Sequence, residues 1–268
     1  MIVTAEKILN DCFKSYHKAE FIDPDPLVFP RRYNNPDDIE AAAFIAASFA
    51  LGRVGCIMSF LENVFSVLGS PADGLKNRSE KDIERDFKDF KYRFYSGEDI
   101  VHFLKGLRLI YQNYGNVYNC FNVGYHKCGT TGYSNIPVVA GLTTIADTVN
   151  REGSFRNIVA DPRGGSACKR LFLFLRWVVR KDEVDPGGWS LPTSELIIPL
   201  DTHIAKVGKY LALTERKSAD LKTAIEITEN LKKFDSEDPV KYDFSMSRIG
   251  IHPDLSYEEL ENRINEGL

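Results

Sequence analysis

The sequence predicts an all-α protein: a helical bundle of about ten helices. Two observations carry this. Apolar residues recur at three- and four-residue spacing along almost the whole chain, and no run of strict apolar–polar alternation interrupts them. A third supports it: Ser, Asn, Asp or Pro stands at the start of segment after segment, as helix N-termini prefer.

Ile8, Leu9, Cys12, Phe13 and Tyr16 form one stripe of a first helix. "DPDPLVFPRRYNNP" comes next, and its four prolines exclude a continuous helix. "DDIEAAAFIAASFALG" opens with acids, where the helix dipole favours them, and stops at Gly52. Further helices are expected over 54–68, 79–90, 97–113, 137–151, 166–181, 201–212, 219–232, 238–249 and 256–266. "CFNVGYHKC" groups Cys120, His126 and Cys128, but at a spacing that matches no common zinc pattern, and is expected to be a loop with buried thiols.

Composition bounds the function. With 268 residues, 43% hydrophobic and 27% charged, the chain can bury a core for one large or two small domains. "MIVTAEKILNDC" has neither the basic start nor the apolar stretch of a signal peptide. The longest apolar run, "AAAFIAASFALG", is too short to cross a bilayer. Five cysteines without a tight framework fit reduced thiols, so a cytoplasmic protein is expected. The net charge of −4 argues against a protein that coats nucleic acid. Charge is uneven, however. Residues 162–181 carry Arg163, Lys169, Arg170, Arg176, Arg180 and Lys181 with no acid among them, enough to hold a phosphate backbone locally.

Two helix starts stand out. In "PRGGSACKRLFLFLRWVVRK", Ser166 is the expected N-cap, with Leu171, Phe174, Leu175 and Val178 as the core face. Lys169 then falls in the first turn, on another face with Phe172 and Arg176. The positive end of the helix dipole and the neighbouring Arg170 both favour a neutral amine there, the form a lysine nucleophile needs. In "LIIPLDTHIAKVGKYL", Asp201 is the expected N-cap, followed by the apolar face Ile204, Val207, Gly208 and Leu211. Capping amides favour the ionised carboxylate, so structure and chemistry ask for the same residue.

Together these segments resemble the helix-hairpin-helix base-excision DNA glycosylases, the superfamily of endonuclease III, the 8-oxoguanine glycosylases and the archaeal GO glycosylases, and look closest to a little-characterised bacterial branch. "PLDTHIAKVGKYLAL" is the most specific match; "GGSACKRLFLFL" matches the hairpin more loosely, and "KYDFSMSRIGI" resembles the next core helix. The likeness covers roughly residues 36–251.

The resemblance implies a helix-hairpin-helix-like element between a lobe of residues 1–35 plus 185–268 and an internal lobe of 36–184. It makes Lys169 the nucleophile and Asp201 the catalytic carboxylate, with Gly164, Gly165, Ser166 and Arg170 at a DNA phosphate. Phe172, Trp177 and Trp189 are the implied stacking residues for an extruded base, Asp243 a hydrogen-bonding group on its edge, and Arg53 a contact to the opposite strand. The implied activity is a glycosylase with β-lyase (AP lyase) function on oxidised purines such as 8-oxoguanine, through a lysine Schiff base. A monomer acting near the nucleoid on damaged double-stranded DNA is expected, with no membrane partner. Lys169 and Asp201 are 32 positions apart, an insertion ("RKDEVDPGGWSLPTSE") closer to the archaeal GO arrangement, and the usual "LPGVGxK" hairpin is absent. No cysteine comes after Cys168, so the iron–sulfur cluster of endonuclease III has no ligands, and neither metal nor other cofactor is expected. Two alternatives are a monofunctional glycosylase for another lesion, with Asp201 activating water, and a non-catalytic helical adaptor or nucleic-acid-binding protein.

Overall fold

The computed structural model describes residues 2–130, 132–151, 153 and 158–248. Those residues form an all-α fold of twelve α-helices joined by loops and 3-10 turns, with no strand among them. The chain divides into two compact units, one of residues 1–23 with 165–268 and one of 24–164.

The first unit begins with α1 (Ile2–Tyr16), whose Ile8, Leu9 and Cys12 are buried as the apolar stripe predicts. The chain then enters the internal unit: α2 (Pro36–Ser48), α3 (Val54–Leu68), α4 (Pro71–Asn77), α5 (Glu80–Phe87), α6 (Gly97–Tyr114), α7 (Val117–Tyr125) and α8 (Pro137–Val149). It returns to the first unit with α9 (Lys169–Val179), α10 (Thr202–Tyr210), α11 (Leu221–Leu231) and α12 (Asp243–Arg248).

In the internal unit, α2 is the central rod. Every residue from Ala41 to Ala47 is wholly buried, as a helix apolar on all sides must be. Its two buried acids cap neighbouring helices. Asp38 accepts from the Ser70 hydroxyl (2.7 Å) and the Ala72 N–H (2.9 Å) at the start of α4. Glu40 accepts from the Val117 and Tyr118 N–H groups, both at 2.8 Å, at the start of α7. Reciprocal capping boxes, Ser79 with Asp82 and Ser96 with Asp99, open α5 and α6.

Three sequence expectations are corrected here. "CFNVGYHKC" is not a loop of buried thiols: α7 runs through Tyr125 and buries Cys120, while Cys128, beyond the helix, is exposed. Its glycine is a packing device, because a Cβ on Gly124 would lie 2.3 Å from the Ala140 carbonyl oxygen of α8. Residues 24–35 belong to the internal unit, not the terminal one, since Leu27 and Phe29 are wholly buried and Phe29 stacks on Phe65 of α3 at 5.0 Å. Residues 165–184 belong to the terminal unit, because Arg176 of α9 pairs with Asp243 and Arg180, the C-cap of α9, pairs with Asp238. The expected helix 256–266 lies outside the described residues, as does the end of 238–249, which is a 3-10 turn (Pro239–Tyr242) leading into α12.

In the terminal unit, α1 packs on α12 and the 3-10 turn before it, and α10 packs on α12. Among the described residues, no single helix is long and apolar enough to cross a membrane.

Candidate functional site

Two arms of the terminal unit carry the site, and each is fixed from behind. Leu196, Ile197, Ile198 and Leu200 form a buried extended segment, held where the Ile198 N–H donates to Thr228 Oγ1 of α11 at 3.0 Å. It delivers Asp201 to the start of α10. The other arm is tied to the N-terminus of the same α11: Ser166 forms a short antiparallel bridge with Asp220, and the Leu221 N–H donates to the Gly165 carbonyl at 3.0 Å. This arm delivers Lys169 to the start of α9.

The two side chains meet. Lys169 Nζ lies 3.0 Å from Asp201 Oδ2, with the lysine about a third exposed and the aspartate less so. Asp201 divides its oxygens between two tasks. Oδ1 accepts from the His203 and Ile204 N–H groups, each at 2.9 Å, and caps α10, while Oδ2 faces the amine. Burial alone would raise the Asp201 proton affinity. The Lys169 ammonium and the Ile204 amide outweigh burial and hold the carboxyl below its ordinary range.

Behind the pair runs a hydrogen-bonded chain of charges. Arg176 Nη1 donates to Asp243 Oδ2 at 2.5 Å, and its Nε and Nη2 donate to Asp185 Oδ1 at 3.1 and 3.0 Å. Asp185 also takes Arg180, which donates in turn to Asp182 (2.8 Å) and Asp238 (3.0 Å). Asp182 meets His17 Nε2 of the first segment at 2.8 Å. His17, Arg176, Arg180, Asp185 and Asp243 are all buried. Burial pushes the Asp243 carboxyl up to about 6, against the pull of Arg176; the negative charge of Asp201 pushes the same way as burial, and Lys169 opposes it.

Several residues singled out in the sequence lie elsewhere or do other work. Ser166 is not the N-cap of α9. The bridge to Asp220 keeps the chain extended there, and the helix starts three residues later, from Cys168 in a left-handed conformation (φ 44°). Gly164, Gly165 and Ser166 therefore do not present a helix N-terminus; the Gly164 N–H donates to the Asp161 carbonyl and Gly165 supplies a carbonyl to Leu221. Arg170 does lie in the first turn of α9, half-buried. Phe172 and Trp177 are sealed in the core, and buried Trp189 packs edge-on against Phe174 at 5.2 Å, so none offers a free ring face. Asp243 is committed to Arg176 rather than open to a base edge. Arg53 is exposed at the start of α3 in the internal unit.

The basic segment also dissolves as a charged face. Arg163 pairs with Asp147 and Asp161, and Arg176 and Arg180 point inward. The buried chain of charges was missed in the sequence, although a signal existed. Arg176 interrupts "LFLFLRWVV", and an arginine inside a helix buried on every side must find a counter-charge. Among the described residues, no group of three or more His, Cys, Asp or Glu side chains could hold a metal ion.

Residues 25–252 match the family model described as "Protein of unknown function (DUF2400)", which spans both site arms and most of the chain. The chain belongs to this family. No curated protein and no solved structure matched this DUF2400 member.

Proposed function

We propose that this DUF2400 protein is a DNA base-excision glycosylase with β-lyase activity, acting on oxidised purines such as 8-oxoguanine in double-stranded DNA. One observation carries the proposal: an amine and a carboxylate, each at a helix start, face each other at 3.0 Å and remain partly open to solvent. It is supported by the sequence likeness of these two segments to the helix-hairpin-helix glycosylases.

In this mechanism Lys169 first gives up a proton to solvent water as the substrate enters, leaving a neutral amine. The departing base takes the electron pair of the glycosidic bond, and the Lys169 amine bonds to C1′ of the sugar. Asp201 stabilises the positive charge that develops on the sugar; its carboxylate is held ionised and in place by the α10 amides. Ring opening then yields an iminium between Lys169 and C1′. Loss of a C2′ proton expels the 3′ phosphate by β-elimination, and water releases the enzyme.

The ion pair also suits a monofunctional enzyme, in which Lys169 only positions Asp201 and water attacks the sugar. Borohydride trapping on duplexes bearing single lesions separates these. The proposal expects a covalent protein–DNA adduct in the wild type that is lost in Lys169→Gln, together with a fall in base release of about 100-fold or more. Base release that survives Lys169→Gln favours the water mechanism. No base release from any lesion in the panel overturns both.

A further inference from the structure

The terminal unit does not expose its positive charge where the sequence concentrates it. In the run 162–181, Arg176 and Arg180 point inward and Arg163 pairs with acids. A second run, 202–222, carries its lysines outside. α10 buries Ile204, Val207, Gly208 and Leu211, which leaves Thr202, Lys206 and Lys209 exposed at i, i+4 and i+7 on its outer face. Lys217 is exposed in the turn between α10 and α11, and Lys222 in the first turn of α11. Against these four lysines the segment exposes one acid, Glu215, because Asp220 is half-buried and held by Arg216 at 2.9 Å. Lys222 stands at the positive end of its helix, where a cation is disfavoured and an anion welcome.

This run borders the Lys169–Asp201 pair through both arms. α10 starts from Asp201, and its outer face carries Lys206 and Lys209 within about two turns of the carboxylate. The α11 N-terminus is tied to the Lys169 arm by the Ser166–Asp220 bridge and by the Leu221 N–H, which donates to the Gly165 carbonyl at 3.0 Å. Lys222 is the next residue after that tie.

We propose that Lys206, Lys209, Lys217 and Lys222 form the surface that holds the phosphate backbone of duplex DNA beside the pair. This rests on the DNA reading above and adds to it the groups that carry the phosphates. A lysine ammonium is a point charge on a flexible stem, suited to a phosphate oxygen whatever the base sequence. Each phosphate it neutralises releases counterions, so the affinity it supplies falls as salt rises. A chain of net charge −4 needs such a local surface, because its overall charge repels a duplex.

The test reads binding without catalysis. The full-length protein is titrated into a short, fluorescein-labelled, undamaged duplex, and anisotropy gives the affinity between about 50 and 200 mM salt. Lys206→Gln/Lys209→Gln and Lys217→Gln/Lys222→Gln each make the plot of log affinity against log salt shallower by about 2, one per lysine. Each also weakens binding about tenfold or more at the lower salt. The same charge change at exposed lysines of the internal unit, Lys81→Gln/Lys127→Gln, leaves the slope as it was. An unchanged slope in either of the first two variants overturns the proposal. So does an equal change in the internal-unit variant, which assigns the attraction to net charge alone. Cosedimentation with phosphatidylserine vesicles that the first two variants lose, at wild-type duplex affinity, overturns it in favour of an anionic membrane. Failure of the glycosylase reading is separately visible: no borohydride adduct and no base release from any lesion, while the salt slope still depends on the lysines.

Discussion

Asp201 shows how one side chain can serve both a fold and a reaction. Its Oδ1 is used up by two amides of α10, and its Oδ2 is left for Lys169, so neither task displaces the other. Neither helix start alone singles out its residue; the likeness of the two segments, taken together, to the glycosylases is what paired them. The residues around the pair were not legible in this way. Phe172, Trp177 and Trp189 were expected to meet a base, but helical spacing reports that a face is apolar, not whether that face meets ligand or core. Asp243 was misplaced for the related reason that its partner, Arg176, lies 67 positions earlier. Asp185 tests the weight of the buried charges. It is fully buried and shared by Arg176 and Arg180. Asp185→Ala takes one acid from each arginine, leaving Arg176 with Asp243 and Arg180 with Asp182 and Asp238. It should lower unfolding free energy in urea by about 3–5 kcal/mol, the usual result of removing one partner from a buried pair. A loss below about 1 kcal/mol would show that water or rearranged side chains replace it.

Among the elements, the longer helices were readable from apolar spacing and their caps. α3, α6 and α8 fall within a residue or two of the expected spans. α4 and α7 did not, being seven and nine residues long, too short for a stripe to stand out. α4 is capped from afar by Asp38 of α2, a partner that leaves no local mark; α7 has both the distant Glu40 and a local cap, Asn116, whose side chain accepts from the Asn119 N–H at 2.8 Å. The start of α9 was missed because its N-cap, Cys168, adopts a conformation that Cβ-bearing residues rarely take. Close approach of α7 and α8 gives a prediction at this scale. A methyl on Gly124 would meet Thr144 Oγ1 at 2.2 Å and the Ala140 carbonyl at 2.3 Å. Gly124→Ala should therefore destabilise by about 1–3 kcal/mol despite the better helix propensity of alanine. An unchanged or raised melting temperature would mean that the two helices separate freely.

For the molecule as a whole, net charge and proposed partner pull in opposite directions, which makes salt dependence informative. If duplex DNA is the partner, the logarithm of affinity should fall linearly with that of salt concentration, with a slope of about −0.9 per phosphate neutralised. Since Arg163, Arg176 and Arg180 are occupied by acids, the slope should be shallow, corresponding to roughly two to four phosphates. Binding indifferent to salt between about 50 and 200 mM would count against DNA. The division of the chain has a consequence during synthesis. α1 packs against α12, yet the whole of 24–164 and then α9, α10 and α11 are translated between them. At about 5–20 residues per second, the first helix waits on the order of ten seconds or more for its companion. Its oily side is uncovered for that time, a natural target for ribosome-associated chaperones, while the middle of the chain is free to fold first.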